Sequence, residues 1–213
     1  AMANGKKFST GNHLVEMTLP ILQILSAGFE IDVITPTGAA SRSKCGRCLI
    51  KTRMSQGCSI RLRRRLKPQK ALPILQQAMI QGGSFIALFI PGGHGAMLRL
   101  ADNPNVKKMF HWSHNRTLFT LTIYHGPAAL LAAGAGNSFI KTKYQIAVLS
   151  GETNKQTPMV GYLPRPMPWY FSETLNAFAV SLIKTKPDAS CHLDLGFSQA
   201  PGRKRQINSA DWP

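Results

Sequence analysis

The chain has 213 residues, of which 44% are hydrophobic, and these figures suit one α/β domain with a sizeable core. Four cysteines are too few for a disulfide framework, and no apolar run is long enough to span a bilayer or follows the N-terminus as a signal peptide would. We therefore expect a cytoplasmic protein without a membrane partner, and the formal net charge of +17 is its unusual property.

The first predicted element is a helix over residues 13–27, because apolar residues recur there at helical spacing. Asn12 can cap it, Pro20 should kink or split it, and Gly28 ends it. A doubly wound sheet usually opens with a buried strand, yet none precedes this helix. We therefore expect Ala1 to mark a truncation or fragment boundary.

Helical and strand patterns then alternate along the chain, apart from residues 38–69, which show no sustained period. Such alternation predicts a flavodoxin-like α/β fold with a doubly wound, mostly parallel sheet and helices on both faces. Helices are predicted over residues 71–80, 106–114, 126–133 and 171–178, and strands over residues 29–34, 85–90, 118–123, 144–149 and 179–183.

Two strand ends carry the residues that indicate chemistry. One strand runs into Tyr124, His125 and a Gly-Pro pair, the layout of a nucleophile elbow that holds a reactive side chain over the sheet. Another runs into Pro91-Gly92-Gly93-His94-Gly95-Ala96, whose backbone N–H groups can face a developing oxyanion. An elbow normally has Cys or Ser at its apex. The sequence thus predicts a catalytic scaffold whose nucleophile is replaced by Tyr124.

Five separated motifs carry a resemblance to a known family. They are Phe8-Ser9-Thr10-Gly11-Asn12-His13-Leu14-Val15-Glu16, Ala27-Gly28-Phe29-Glu30, Pro91-Gly92-Gly93-His94-Gly95-Ala96, Tyr124-His125-Gly126-Pro127-Ala128-Ala129 and Lys155-Gln156-Thr157-Pro158. Together they resemble the glyoxalase III and heat-shock chaperone branch of the PfpI-like superfamily. The resemblance implies one PfpI-like domain over residues 1–213, with an irregular basic insert at 38–69 and an aberrant tail at 193–213.

The resemblance implies three activities: conversion of methylglyoxal to lactate without glutathione, deglycation, and holding of unfolded proteins. The implied partners are a small aldehyde and unfolded client proteins, with a homodimer left open and no cofactor. The family's catalytic Cys falls on Tyr124, its His on His125, and the acid that orients the His on Asn154. A phenol with a pKa of about 10 is a far poorer nucleophile than a thiolate, so we expect catalysis to be lost.

Further site positions follow from the same resemblance. A Glu that contacts the Cys matches Glu16, and the oxyanion amides match Gly93 and His94. Some members bind zinc through a His-x4-Glu pair and a distant His. Here Leu25 occupies the His position and Glu30 remains only as a relic, so we expect no metal site.

The basic segment has three interpretations. No Asp or Glu occurs from Val33 through Ala101, and the run Arg61–Arg65 could bind nucleic acid or another anionic polymer. Cys45, Cys48 and Cys58 could be zinc ligands, although no fourth ligand has a suitable spacing. With suitable codons, residues 45–54 re-read one base earlier resemble the family sequence, and the tail behaves likewise. We favour this frame-shift hypothesis, which also explains the charge.

These observations leave three functions open. The chain could be an aldehyde-processing enzyme of the glyoxalase III type whose catalysis is mostly lost. It could be a non-enzymatic holding chaperone, or an anionic-polymer binder that uses Arg61–Arg65. Turnover of methylglyoxal, suppression of client aggregation and salt-dependent DNA binding distinguish them.

Overall fold

The structure is a computed structural model that describes part of the chain. The described residues are 11–35, 70–71, 85–98, 100–134, 139–140, 144–149, 155–156, 158–159, 169–176, 178 and 181–185. The basic insert at 38–69, the tail at 193–213 and the remainder of the predicted helix after Ala71 lie outside these ranges.

Three α-helices and two 3₁₀ helices are described. Helix α1 is Leu14–Ser26, α2 is Pro104–Asn115 and α3 is Phe171–Asn176, while the 3₁₀ helices are His94–Met97 and Gly126–Gly134.

The described strands form three parallel pairs. Strand β1 (Ile34–Thr35) pairs with β2 (Lys70–Ala71), β3 (Ala87–Ile90) with β4 (Phe119–Thr122), and β5 (Gln145–Leu149) with β6 (Ser181–Thr185). Parallel neighbours require crossover connections, and in the described chain α2 lies between β3 and β4 while α3 lies between β5 and β6. The described part of the chain is therefore α/β.

The register of β3 and β4 places the two turns of interest together. Ala87 pairs with Phe119 and Ile90 pairs with Thr122, so both strands end at the same level. Pro91 and Ile123, the residues that follow, consequently leave the same edge of the pair. This confirms that the glycine turn and the elbow lie at the carboxyl ends of adjacent parallel strands.

The helix ends follow local sequence chemistry with one exception. Asn103 caps α2, because its side-chain oxygen accepts hydrogen bonds from the N–H groups of Asn105 and Val106 at 2.9 and 3.3 Å. Gly28 follows α1 with a φ of 85°, as predicted for a C-terminal glycine. The predicted Asn12 cap is wrong, since His13 occupies the N-cap position and makes no side-chain capping bond.

Helix α1 is continuous through Pro20, so of the two predicted outcomes, a kink or a split, the split does not occur, although this proline cannot donate a hydrogen bond to the preceding turn. Two other predictions needed correction. The predicted strand over residues 29–34 is observed as Ile34–Thr35, the part of it that pairs with a parallel strand within the described residues. Ala71, expected to open a helix, instead ends strand β2.

The core lies where α2, α3, β3 and β5 meet the second 3₁₀ helix. That helix, Gly126–Gly134, is buried along its whole length, and Phe110 of α2 and Leu175 of α3 are fully buried beside it. The elbow that precedes Gly126 is thereby anchored to the centre of the packed region. None of the described helices combines the length and apolarity needed to cross a membrane.

Candidate active site

The elbow is a tight, left-handed turn at the end of β4. Tyr124 has a φ of 53°, a conformation that is uncommon for a residue with a side chain. The N–H of Gly126 donates to the carbonyl of Ile123 at 2.8 Å and closes the turn. A β-carbon at Gly126 would lie 2.6 Å from the carbonyl oxygen of Ile90, so only glycine allows the elbow to pack against the end of β3.

The glycine turn after β3 docks on the segment before α1. The N–H of His13 donates to the carbonyl of Gly92 at 3.4 Å, and the N–H of Gly95 donates to the carbonyl of Gly11 at 3.2 Å. Gly93 has a φ of 96°, and a β-carbon there would collide with the backbone N of His13. Glycine is therefore required at this position for conformation and for space.

Glu16 projects from the first turn of α1 into the gap between the two loops. Burial raises the pKa of Glu16 to about 7, against an opposing hydrogen bond from the backbone of Gly93. His13 lies 3.2 Å from it, measured from Nδ1 to the near carboxylate oxygen. Burial also lowers the pKa of His13. Both groups are therefore biased towards their neutral forms, and their contact has little of the character of an ion pair near pH 7.

Two imidazoles and the phenol ring form a cluster above the strand ends. The ring centroids of His94 and His125 are 4.4 Å apart, and those of Tyr124 and His125 are 4.3 Å apart with a nearly perpendicular orientation. His125 is fully buried. Burial lowers the pKa of His94 to about 4, and electrostatic repulsion from His13 acts in the same direction. His94 is consequently neutral near pH 7.

The apex side chain is held in its protonated form. Burial raises the pKa of Tyr124 to about 12, and the nearby charge of Glu16 acts in the same direction. A phenol in this setting can donate or accept a hydrogen bond. It offers almost no phenolate for attack on an electrophile near neutral pH.

Sequence comparison identifies the family of this chain. The chain is 31% identical to the protein/nucleic acid deglycase HchA of Escherichia coli over 191 residues, which cover 90% of this chain and 67% of that protein. The same figures hold for the HchA protein of Shigella boydii. The chain belongs to the HchA family. No family profile matches the chain.

Solved structures related to the HchA fold confirm the architecture. The chain matches the 24 kDa rapid encystment protein of Francisella tularensis with a TM-score of 0.66 and 17% identity, covering 87% of this chain and 80% of the other. It matches glyoxalase III of Candida albicans with a TM-score of 0.54 and 16% identity, covering 87% and 77%. These likenesses confirm the predicted flavodoxin-like α/β fold.

The structure brings most of the predicted site residues of this HchA relative together. The converging residues are Glu16, Gly93, His94, Tyr124 and His125. Asn154, at the predicted acid position, lies outside the described residues. No individual role in the site was predicted from the sequence for His13 or for Gly92, although the structure places both in it. The spacing of His13 three residues before Glu16 was the signal that could have revealed the first.

The residues at the family's zinc-ligand positions lie apart from this cluster. Glu30 is exposed beyond the C-terminal end of α1, and Leu25 offers no ligand atom. Within the described ranges, no three His, Cys, Asp or Glu side chains converge in a way that could hold a metal ion.

Proposed function

We propose that this chain is an HchA-family protein in which glyoxalase and deglycase catalysis is reduced to background because Tyr124 occupies the nucleophile position. The observation that carries the proposal is the environment of the phenol. Burial and the nearby Glu16 together raise the pKa of Tyr124 to about 12. At pH 7 this leaves roughly one phenolate in 10⁵ molecules, which removes the nucleophile that attack on a carbonyl needs.

The rest of the site supports an origin in aldehyde chemistry. The backbone of Gly93 forms a hydrogen bond with Glu16, His125 lies directly against the apex residue, and Glu16 faces both loops. In a member with Cys at position 124, His125 could assist ionisation of the thiol, while the amides of Gly93 and His94 could stabilise an oxyanion. Asn154 can orient an imidazole but supplies no charge to stabilise its protonated form.

A holding-chaperone function is the second candidate. It is favoured by two large apolar side chains on β4, Phe119 and Leu121, which are 46% and 41% exposed. Exposed apolar groups on neighbouring positions of one strand can bind apolar segments of other proteins. This function requires no nucleophile and would survive the loss of catalysis.

The decisive experiment is an assay of methylglyoxal turnover with lactate detection. The wild-type protein should be at background, whereas the double variant Tyr124→Cys with Asn154→Asp should convert methylglyoxal measurably. Each single variant should recover less than the pair, because members of a catalytic unit act non-additively. Tyr124→Phe serves as the control that removes the hydroxyl without adding a nucleophile, and it should stay at background.

Two outcomes would contradict the proposal. Wild-type turnover within roughly tenfold of a Cys-bearing relative would mean a barrier difference of only about 1.4 kcal/mol, too small for a lost nucleophile. A double variant that is folded by near-ultraviolet circular dichroism, yet unreactive towards both iodoacetamide and methylglyoxal, would show that the rest of the site is not competent. Suppression of client aggregation by wild type and Tyr124→Phe alike would support the holding function.

A further inference from the structure

Three atoms from two different elements converge on the α-carbon of Gly92. A β-carbon built there would collide with the outer carboxylate oxygen of Glu16. It would also lie 2.7 Å from the carbonyl oxygen of Ile123 and 3.0 Å from the β-carbon of Tyr124. The carbonyl and the β-carbon belong to the rigid elbow, so they have little freedom to move. The Glu16 carboxyl is the far end of a flexible side chain and is the part that must give way.

Gly92 differs from the neighbouring glycines in why it must be glycine. Gly93 has a φ of 96° and would strike backbone atoms of His13 and Gly11, so a substitution there distorts the main chain. The φ of Gly92 is not positive, so its requirement for glycine comes from space and not from conformation. A methyl group at Gly92 would displace the Glu16 carboxyl, which can move most easily, and would also press on the backbone carbonyl of Ile123.

We propose that Gly92 is a positioning residue of this site, which lets the Glu16 carboxyl lie against the glycine turn and face the apex of the elbow. Glu16 acts on Tyr124 by charge, and Gly92 acts through Glu16. Besides Tyr124, the titratable group that lies against this carboxyl is His13 on the segment before α1. His94 of the turn acts electrostatically with His13, and His125 of the elbow packs against Tyr124. The inference rests on the proposed role of Tyr124 as the apex residue, but its test does not depend on turnover.

The carboxylate oxygen Oε2 of Glu16 is the atom that a β-carbon at Gly92 would strike. It is buried, and no hydrogen-bond partner for it occurs among the described residues. The position of the carboxyl group is set by its hydrogen bond with the backbone of Gly93, by its contact with His13 and by the shape of the gap, of which Gly92 forms one wall. Removing that space should shift the carboxyl towards solvent and return its pKa towards the ordinary glutamate value, because burial is the main cause of the raised pKa.

The test follows the carboxyl signals of glutamate by carbon-13 NMR as a function of pH. The chain contains four glutamates, and the Glu16 signal is the one that disappears in Glu16→Gln. Gly92→Ala should lower the pKa of Glu16 by at least about one unit. Gly134→Ala is the matched control: its β-carbon would meet the rings of Phe178 and Phe139 at 2.7 and 3.0 Å, away from the carboxyl, and should leave the Glu16 pKa unchanged.

An unchanged or higher Glu16 pKa in folded Gly92→Ala would overturn the proposal, as would an equal shift in Gly134→Ala. If Gly92→Ala does not fold, Glu16→Asp provides the second route, because it withdraws the carboxylate from Gly92 without adding an atom. The pKa of that aspartate should lie closer to its ordinary value than the pKa of Glu16 does, and an equal upward displacement would overturn the proposal. The result is separable from a failed rescue of methylglyoxal turnover, which concerns residue 124 itself.

Discussion

At the scale of single residues, the site buries groups whose titrations act on stability in opposite directions. Glu16 has a pKa raised to about 7 from 4.5, so it stays protonated in the folded protein over a range where the unfolded chain has lost the proton. Its contribution to stability is present below pH 4.5 and is lost as pH rises through 7. His94 has a pKa lowered to about 4 from 6.5, so its contribution is present above pH 6.5 and is lost as pH falls through 4.

The first prediction separates these two titrations. Glu16→Gln removes the loss of stability that the Glu16 carboxyl causes as pH rises. The free energy of unfolding of the variant should therefore rise with pH from about 4 to about 6.5, where that of wild type should be flatter. The variant should also exceed wild type in stability near pH 8, by an amount on the order of a few kcal/mol, because wild type must then bury a charge. Urea denaturation at several pH values measures both effects.

Glu173→Gln is the matched control for that series. Glu173 is exposed on α3 and pairs with Lys155 at 3.3 Å, an exposed contact of little energetic value. Because the contact is exposed, its replacement should change the free energy of unfolding by less than about 0.5 kcal/mol. A Glu16→Gln profile that superimposes on wild type would show that the carboxyl is not buried as described.

At the scale of elements, the site depends on strand ends and on the segments that follow them. The 3₁₀ helix Gly126–Gly134 is longer than such helices usually are, and it is buried throughout against α2 and α3. Its small residues permit close packing, which holds the elbow at the level of the glycine turn. The geometry of Tyr124 therefore depends on elements that contribute no side chain to the site.

The second prediction concerns the start of α2, one of those supporting elements. Asn103→Ala removes an acceptor for the N–H groups of Asn105 and Val106, so the free energy of unfolding should fall by about 1 kcal/mol. Asn115→Ala, at the exposed C-terminal end of the same helix, is the control and should change it by less than about 0.5 kcal/mol. Equal effects of both substitutions on the urea midpoint would argue against the cap.

At the scale of the whole molecule, charge is the dominant feature. The net charge of +17 implies mutual repulsion in any compact state, because 26 basic residues face only nine acidic ones. Salt screens this repulsion, since the Debye length falls from about 30 Å at 0.01 M to about 8 Å at 0.15 M.

The third prediction is that salt stabilises the fold. Raising sodium chloride from about 0.01 M to about 0.15 M should increase the urea midpoint at pH 7, because the folded state gains more from screening than the expanded chain. The same titration near pH 10, close to the isoelectric point of about 10.3, is the control and should show a much smaller effect. A midpoint that falls with salt at pH 7 would instead indicate that attractive ion pairs dominate.

Much of this arrangement was determined by the sequence itself. Hydrophobic periodicity predicted α1, α2 and the core strands, and the Gly-rich and Tyr-His-Gly-Pro turns identified both halves of the site, because turn chemistry is local and depends on residue type. The sequence could not reveal that residues 29–33, in the described part of the chain, are not assigned to a strand, since strand pairing is decided by distant residues. Nor could the sequence show that the helix after the elbow, Gly126–Gly134, is a 3₁₀ helix.

Only the tertiary structure decided how the site residues act on one another. Glu16, Gly92 and Tyr124 are far apart in the chain. They come together because β3 and β4 end at the same level while the segment before α1 docks on the glycine turn and directs the Glu16 side chain between the two turns. The raised pKa values of Glu16 and Tyr124 and the lowered one of His94 arise from burial, which no local pattern encodes. Residue identity was a property of the sequence, but protonation state was a property of the packed fold.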